Sequence, residues 1–157
     1  MAAVDPDPEN KVRDSLNATI LQLASSLAAK DNSELHVIHA WALFGEQLLR
    51  SRGGVPESEI YRYARQQEEK QRQALEGLLA RHTGGMGEPH LVEGNPDSVI
   101  PQMVANKKVD LLVMGTVCRT GIPGFFIGNT AETILDEVDC SVLTVKPEGF
   151  QSAVQLS

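Results

Sequence analysis

The chain has 157 residues, 41% of them hydrophobic and 22% charged, which is the balance of an ordinary globular domain with one substantial core. A formal net charge of −7 excludes nucleic-acid binding carried by a basic face. No apolar run approaches the ~20 residues that span a bilayer, and Cys118 and Cys140 make neither a metal-ligand spacing nor a disulfide framework, so the cytoplasm is the expected compartment.

Met1 to Val4 is a short apolar run, followed by the turn-rich Asp5-Pro6-Asp7-Pro8. Val12, Leu16, Thr19, Ile20, Leu23 and Leu27 then fall on one helical face. Leu35 to Trp41 is rich in β-branched and aromatic residues and reads as a strand. Phe44 to Glu59 is a long irregular connection. Ile60, Ala64, Gln67, Gln71, Ala74, Leu75 and Leu78 have helix spacing, and Gly84, Gly85 and Gly87 end that helix. Pro89 to Glu93 suits a short strand. Asn95-Pro96 places a capping residue before a proline at the first helical position, with Val99, Ile100, Met103 and Val104 facing inward. Leu111 to Met114 is a strand, a glycine-rich loop follows, and a helix runs from about Thr130 to Val138. Ser141 to Lys146 is the last strand, stopped by Pro147.

This βαβαβαβαβ order requires right-handed crossovers and yields a mostly parallel sheet with helices on both faces. Residues 1–147 form a single domain and 148–157 a tail. In such sheets ligands bind beyond the carboxyl ends of strands where the winding reverses. The stretch Val109 to Glu132 combines a buried strand, a glycine-rich turn and a helix start, a geometry in which backbone N–H groups and the helix dipole converge on an anion.

The pieces AAVD, ELHVIHAW, EGNP, VDLLVMGT, GNTAE and CSVLTVKP, spread over nearly the whole chain, resemble the universal stress protein family, and the last third resembles the second half of its tandem members. The resemblance implies a five-stranded parallel sheet in the order 3-2-1-4-5, a Rossmann-like adenine nucleotide alpha hydrolase-like fold. It also implies an ATP site, with Mg or Mn, formed by Asp5 at the end of strand one, Ala40 on strand two, Met114 and Gly115 at the exit of strand four, Cys118 and Gly128 at the two further signature glycine positions, and Asn129 and Thr130 at the phosphate-facing helix start. Two positions depart from that signature. Cys118 stands where nucleotide-binding members carry glycine, and Asn129 where Ser or Thr is usual. The alternative reading is therefore an interaction domain that binds no nucleotide. Family members dimerise through the last strand, so Ser141 to Lys146 is the expected contact with a second copy or with a preceding homologous half. A start at AAVD, two or three apolar residues short for strand one, suggests a chain cut from such a tandem protein.

Other side chains have plainer readings. Asn129 and Glu132 have capping-box spacing, which starts a helix whether or not phosphate binds. Asp5 suits an Asx-type turn as well as a ligand contact. Cys118 beside Arg119 has the setting of a redox-sensitive thiol, although most free cysteines are inert. His36 and His39 point to opposite faces of a strand, so no metal site is expected from them, and His82 and His90 read as solvated. Arg62 to Arg72 reads as a solvated helix face. Phe125 and Phe126 are either an interface or packing. No nucleophile elbow, P-loop lysine or paired carboxylate set supports catalysis.

Overall fold

The computed structural model describes residues 1–43, 56–116 and 128–147. Within them the apolar runs form five strands: β1 (Ala2–Ala3), β2 (His36–Trp41), β3 (Glu88–Glu93), β4 (Leu111–Gly115) and β5 (Ser141–Val145). They pair in parallel as one sheet, in the order β3-β2-β1-β4-β5 that the resemblance implies. Between them lie helices α1 (Lys11–Asp31), α2 (Glu57–His82), α3 (Pro96–Lys107) and α4 (Asn129–Glu137).

The strand period of two splits the core into two layers. Ala2, Val4, Val37 and Val113 face α1 and α2, together with Leu16, Ile20, Leu21, Leu75 and Leu78. Met1, Ala3, Ile38, Leu112 and Met114 face α3 and α4, where Ile100, Val104, Ala131 and Ile134 meet them. Leu21, Val37, Ile38 and Leu112 are fully buried, and each contributes on the order of 1.5–3 kcal/mol of apolar burial. The doubly covered β2 is buried at five of its six residues, whereas the edge strands β3 and β5 are mostly half-buried or exposed.

The α1 stripe is as expected at Leu16 and Ile20 and differs at its flanks. Val12 is 61% and Leu23 39% exposed, while Leu16, Asn17, Ile20, Leu21, Ala24 and Ala28 are buried. The buried arc runs from Leu16 and Asn17 through Ile20 and Leu21 to Ala24 and Ala28. Asn10 caps α1 by accepting the Arg13 N–H at 3.1 Å. In α3 the stripe is as expected, with Ile100 and Val104 buried and Val99 and Met103 packed beside them.

Candidate functional site

β1 leads into α1 on one face of the sheet and β4 leads toward α4 on the other, so the winding reverses between these two neighbours. Ala2 is in register with Val113 and Ala3 with Met114, and on the other side Ala3 is in register with Ile38. The Val4 N–H donates to the Ile38 carbonyl at 3.0 Å, continuing the ladder. Asp5, Ala40 and Gly115 therefore emerge at the carboxyl edge of three adjacent strands. The start of α4 is tied to the same edge: Thr116 donates its N–H to Val145 O at 3.2 Å and accepts the Gly128 N–H at 3.3 Å. Asn129 and Thr130 follow with exposed side chains. The Met114 side chain is only 4% exposed and packs in the α3/α4 layer, so at this edge it offers its backbone. Cys118, Phe125 and Phe126 lie outside the described residues.

Two expectations need correction here. The helix α4 is capped by Gly128, with extended backbone (φ −64°, ψ 145°) and no side-chain capping bond, and Asn129 is already its first helical residue. The Glu132 N–H bonds the Gly128 carbonyl at 3.0 Å, so Asn129 is one residue too far along to close a capping box. Asn95 does occupy the cap position of α3 with Pro96 following, but its side chain makes no capping bond.

Asp5 is held by two residues that sequence reasoning passed over. Asn17, 2% exposed, donates its amide to the Asp5 carbonyl at 2.8 Å and accepts the Asp5 N–H at 3.1 Å. Arg13 bridges two carboxylates, at 3.2 Å from Asp5 Oδ2 and 3.0 Å from Asp7 Oδ2, which offsets the acidic run at the mouth of the site. His39, 4% exposed, faces the Val4 carbonyl through Nδ1 at 3.2 Å and Gln71 Oε1 through Nε2 at 3.0 Å, tying β1, β2 and α2 together. The only signals for these roles were polar residues inside apolar stripes.

Gly115 is required by close approach. A Cβ there would lie 2.8 Å from Leu16 Cδ2. On the α1 side the space beside Gly115 is thus filled by Leu16. An open depression of about 560 Å³, lined by Trp41, Ile60, Tyr61, Arg65 and Glu93 among others, lies toward β3 on the ends of β2 and β3.

The expectation that His82 and His90 are solvated does not hold. His82 Nε2 is buried and has no hydrogen-bond partner among the described residues. His90 has a side chain 12% exposed and meets His36 across the β2–β3 pair. The strand at His90 was expected, but its pairing with β2, which brings His90 against His36, joins residues distant in sequence.

The family model described as the Universal stress protein family matches residues 13–146. Universal stress protein E of Escherichia coli (strain K12) is 28% identical over 157 residues, covering 99% of this chain and 49% of that protein. The chain thus spans about half the length of curated relatives it matches. Among solved structures, a protein described as a universal stress protein from Pseudomonas aeruginosa UCBPP-PA14 is 30% identical with a TM-score of 0.67, covering 95% of this chain and 47% of that one. The universal stress protein from Archaeoglobus fulgidus in complex with dAMP is 19% identical with a TM-score of 0.57, covering 92% and 94%, a likeness of fold.

Proposed function

Because the chain belongs to the universal stress protein family, we propose that it is a stress-response domain that binds an adenine nucleotide, ATP with Mg or Mn, at the carboxyl edge between β1 and β4. The observation that carries this reading is the register of Ala3 with Met114, which brings Asp5, Gly115 and the start of α4 to one edge at the winding reversal. The related fold in complex with dAMP supports the ligand class. In this reading the first N–H groups of α4 face the phosphates, Thr130 supplies a hydroxyl, and the divalent ion arrives with the phosphates. Asp5, fixed by Asn17, faces the adenosine side with Ala40. In this reading any ATP turnover is slow or incidental. The domain works in the cytoplasm through association along β5, the sheet edge at Ser141–Val145, with a second copy or a preceding homologous half.

A second reading, an interaction domain without nucleotide, is favoured by Asn129 at the first position of α4, where it brings no hydroxyl to phosphate. Calorimetry with ATP and magnesium or manganese separates the two. Saturable heat from the native chain supports the nucleotide site. No heat at millimolar ATP, with binding in a Cys118→Gly, Asn129→Ser variant, establishes the interaction-only reading.

A further inference from the structure

We propose that His36, Glu88 and His90 form a binding site for a divalent transition metal of the zinc class, at the opposite end of the sheet from the nucleotide edge. The register pairs His36 with Glu88 and Ile38 with His90. The period of two therefore sets all three side chains on one face at the amino ends of β2 and β3. Three ligand atoms converge there. His36 Nδ1 lies 3.1 Å from His90 Nε2 and 3.0 Å from Glu88 Oε2, and His90 Nε2 lies 3.7 Å from Glu88 Oε2.

That triangle has the dimensions of a metal site. Ligands bonded at about 2.0–2.1 Å in a tetrahedron stand roughly 3.3–3.4 Å apart. A point about 2 Å from all three atoms sits slightly outside their plane, and a tetrahedral ion held there takes a fourth ligand such as water. A shared proton satisfies one pair of these atoms, whereas a single cation satisfies all three. The imidazole rings are 44° apart with centroids at 5.2 Å, so the nitrogens meet edge to edge rather than the rings stacking face to face.

The surroundings fit the same chemistry. The histidine side chains are 11% and 12% exposed and Glu88 is 58% exposed, giving a sheltered pair with a carboxylate at the mouth. Glu34 Oε2, 3.7 Å from the outward nitrogen of His36, adds a second negative charge near the cluster. Lys107 Nζ, 3.6 Å from Glu88 Oε2, is a competing cation at the end of α3 that yields when the metal enters. Two imidazole nitrogens and one carboxylate select zinc-class ions over magnesium or calcium.

The test is a titration of chelator-stripped protein with Co²⁺, read by the visible absorption of a tetrahedral site, followed by displacement with Zn²⁺. The expected result is one Co²⁺ per chain, retained in a Cys118→Ser, Cys140→Ser variant. Glu88→Gln and His90→Gln each weaken binding by at least roughly tenfold, the least that loss of even an outer-shell partner costs. Lys107→Ala strengthens it. Glu88 is exposed enough that its replacement leaves the fold intact, which circular dichroism checks. Absence of a saturable band at micromolar Co²⁺, or equal affinity in the native and Glu88→Gln proteins, overturns the proposal.

Discussion

Asn17 clasps the backbone of Asp5 on both sides, its amide 2.8 Å from the Asp5 carbonyl and its Oδ1 3.1 Å from the Asp5 N–H. The turn after β1 thus depends on a side chain from the second turn of α1. Replacing it with an apolar residue strands a donor and an acceptor, at a cost of about 1–3 kcal/mol for each buried group. Asn17→Leu should therefore lower stability by roughly 2–4 kcal/mol in urea unfolding. A loss under about 0.5 kcal/mol, the scale of ordinary surface changes, contradicts this role.

The position of the α1 stripe is tested by a pair of truncations. Leu21 is fully buried and Leu23 is 39% exposed. Leu21→Ala should cost about 2–5 kcal/mol through lost burial and a residual cavity, and Leu23→Ala under ~1 kcal/mol. Chemical denaturation of both variants checks the order, and equal losses would return the stripe to Leu23.

Gly115 and Leu16 form a coupled pair. Adding a methyl at Gly115 places it 2.8 Å from Leu16 Cδ2, so Gly115→Ala should destabilise by about 1–3 kcal/mol, as overpacking does. In a Leu16→Ala background the same change should cost much less, because the clashing atoms are gone. A double-mutant cycle with no coupling energy refutes the contact.

Burial, the largest influence on it, pushes the Cys140 thiol above its ordinary value. The fold therefore favours the neutral thiol. The stability linked to it is complete below the ordinary thiol range and is lost as pH rises through the raised value. In a Cys118→Ser background, alkylation of Cys140 near pH 8.5, about the free-thiol value, should be several-fold slower folded than unfolded. Equal rates at that pH would contradict the shift.

Much of the fold was legible because β4 carries an unbroken apolar run and β2 is rich in β-branched and aromatic residues, and burial on both faces leaves few alternatives. Ile100 and Val104 were legible for the same reason, as large residues at helical spacing. What escaped reading depended on partners distant in sequence. Asn17 looks like a polar interruption until Asp5 comes against it, and Ala24 and Ala28 are too small to draw a stripe toward themselves. Gly128 outranks Asn129 as the cap because the bond between Thr116 O and the Gly128 N–H fixes where the helix begins. His90 joins His36 only when β3 pairs with β2.

The central claim is that a nucleotide binds where β1 and β4 part. Its most direct test is amide NMR of the labelled native chain during titration with ATP and magnesium. The account predicts saturable shifts concentrated at Asp5, Gly115, Gly128, Asn129 and Thr130. Unchanged spectra at millimolar ATP, or shifts gathered at the opposite end around His36 and His90, would contradict it.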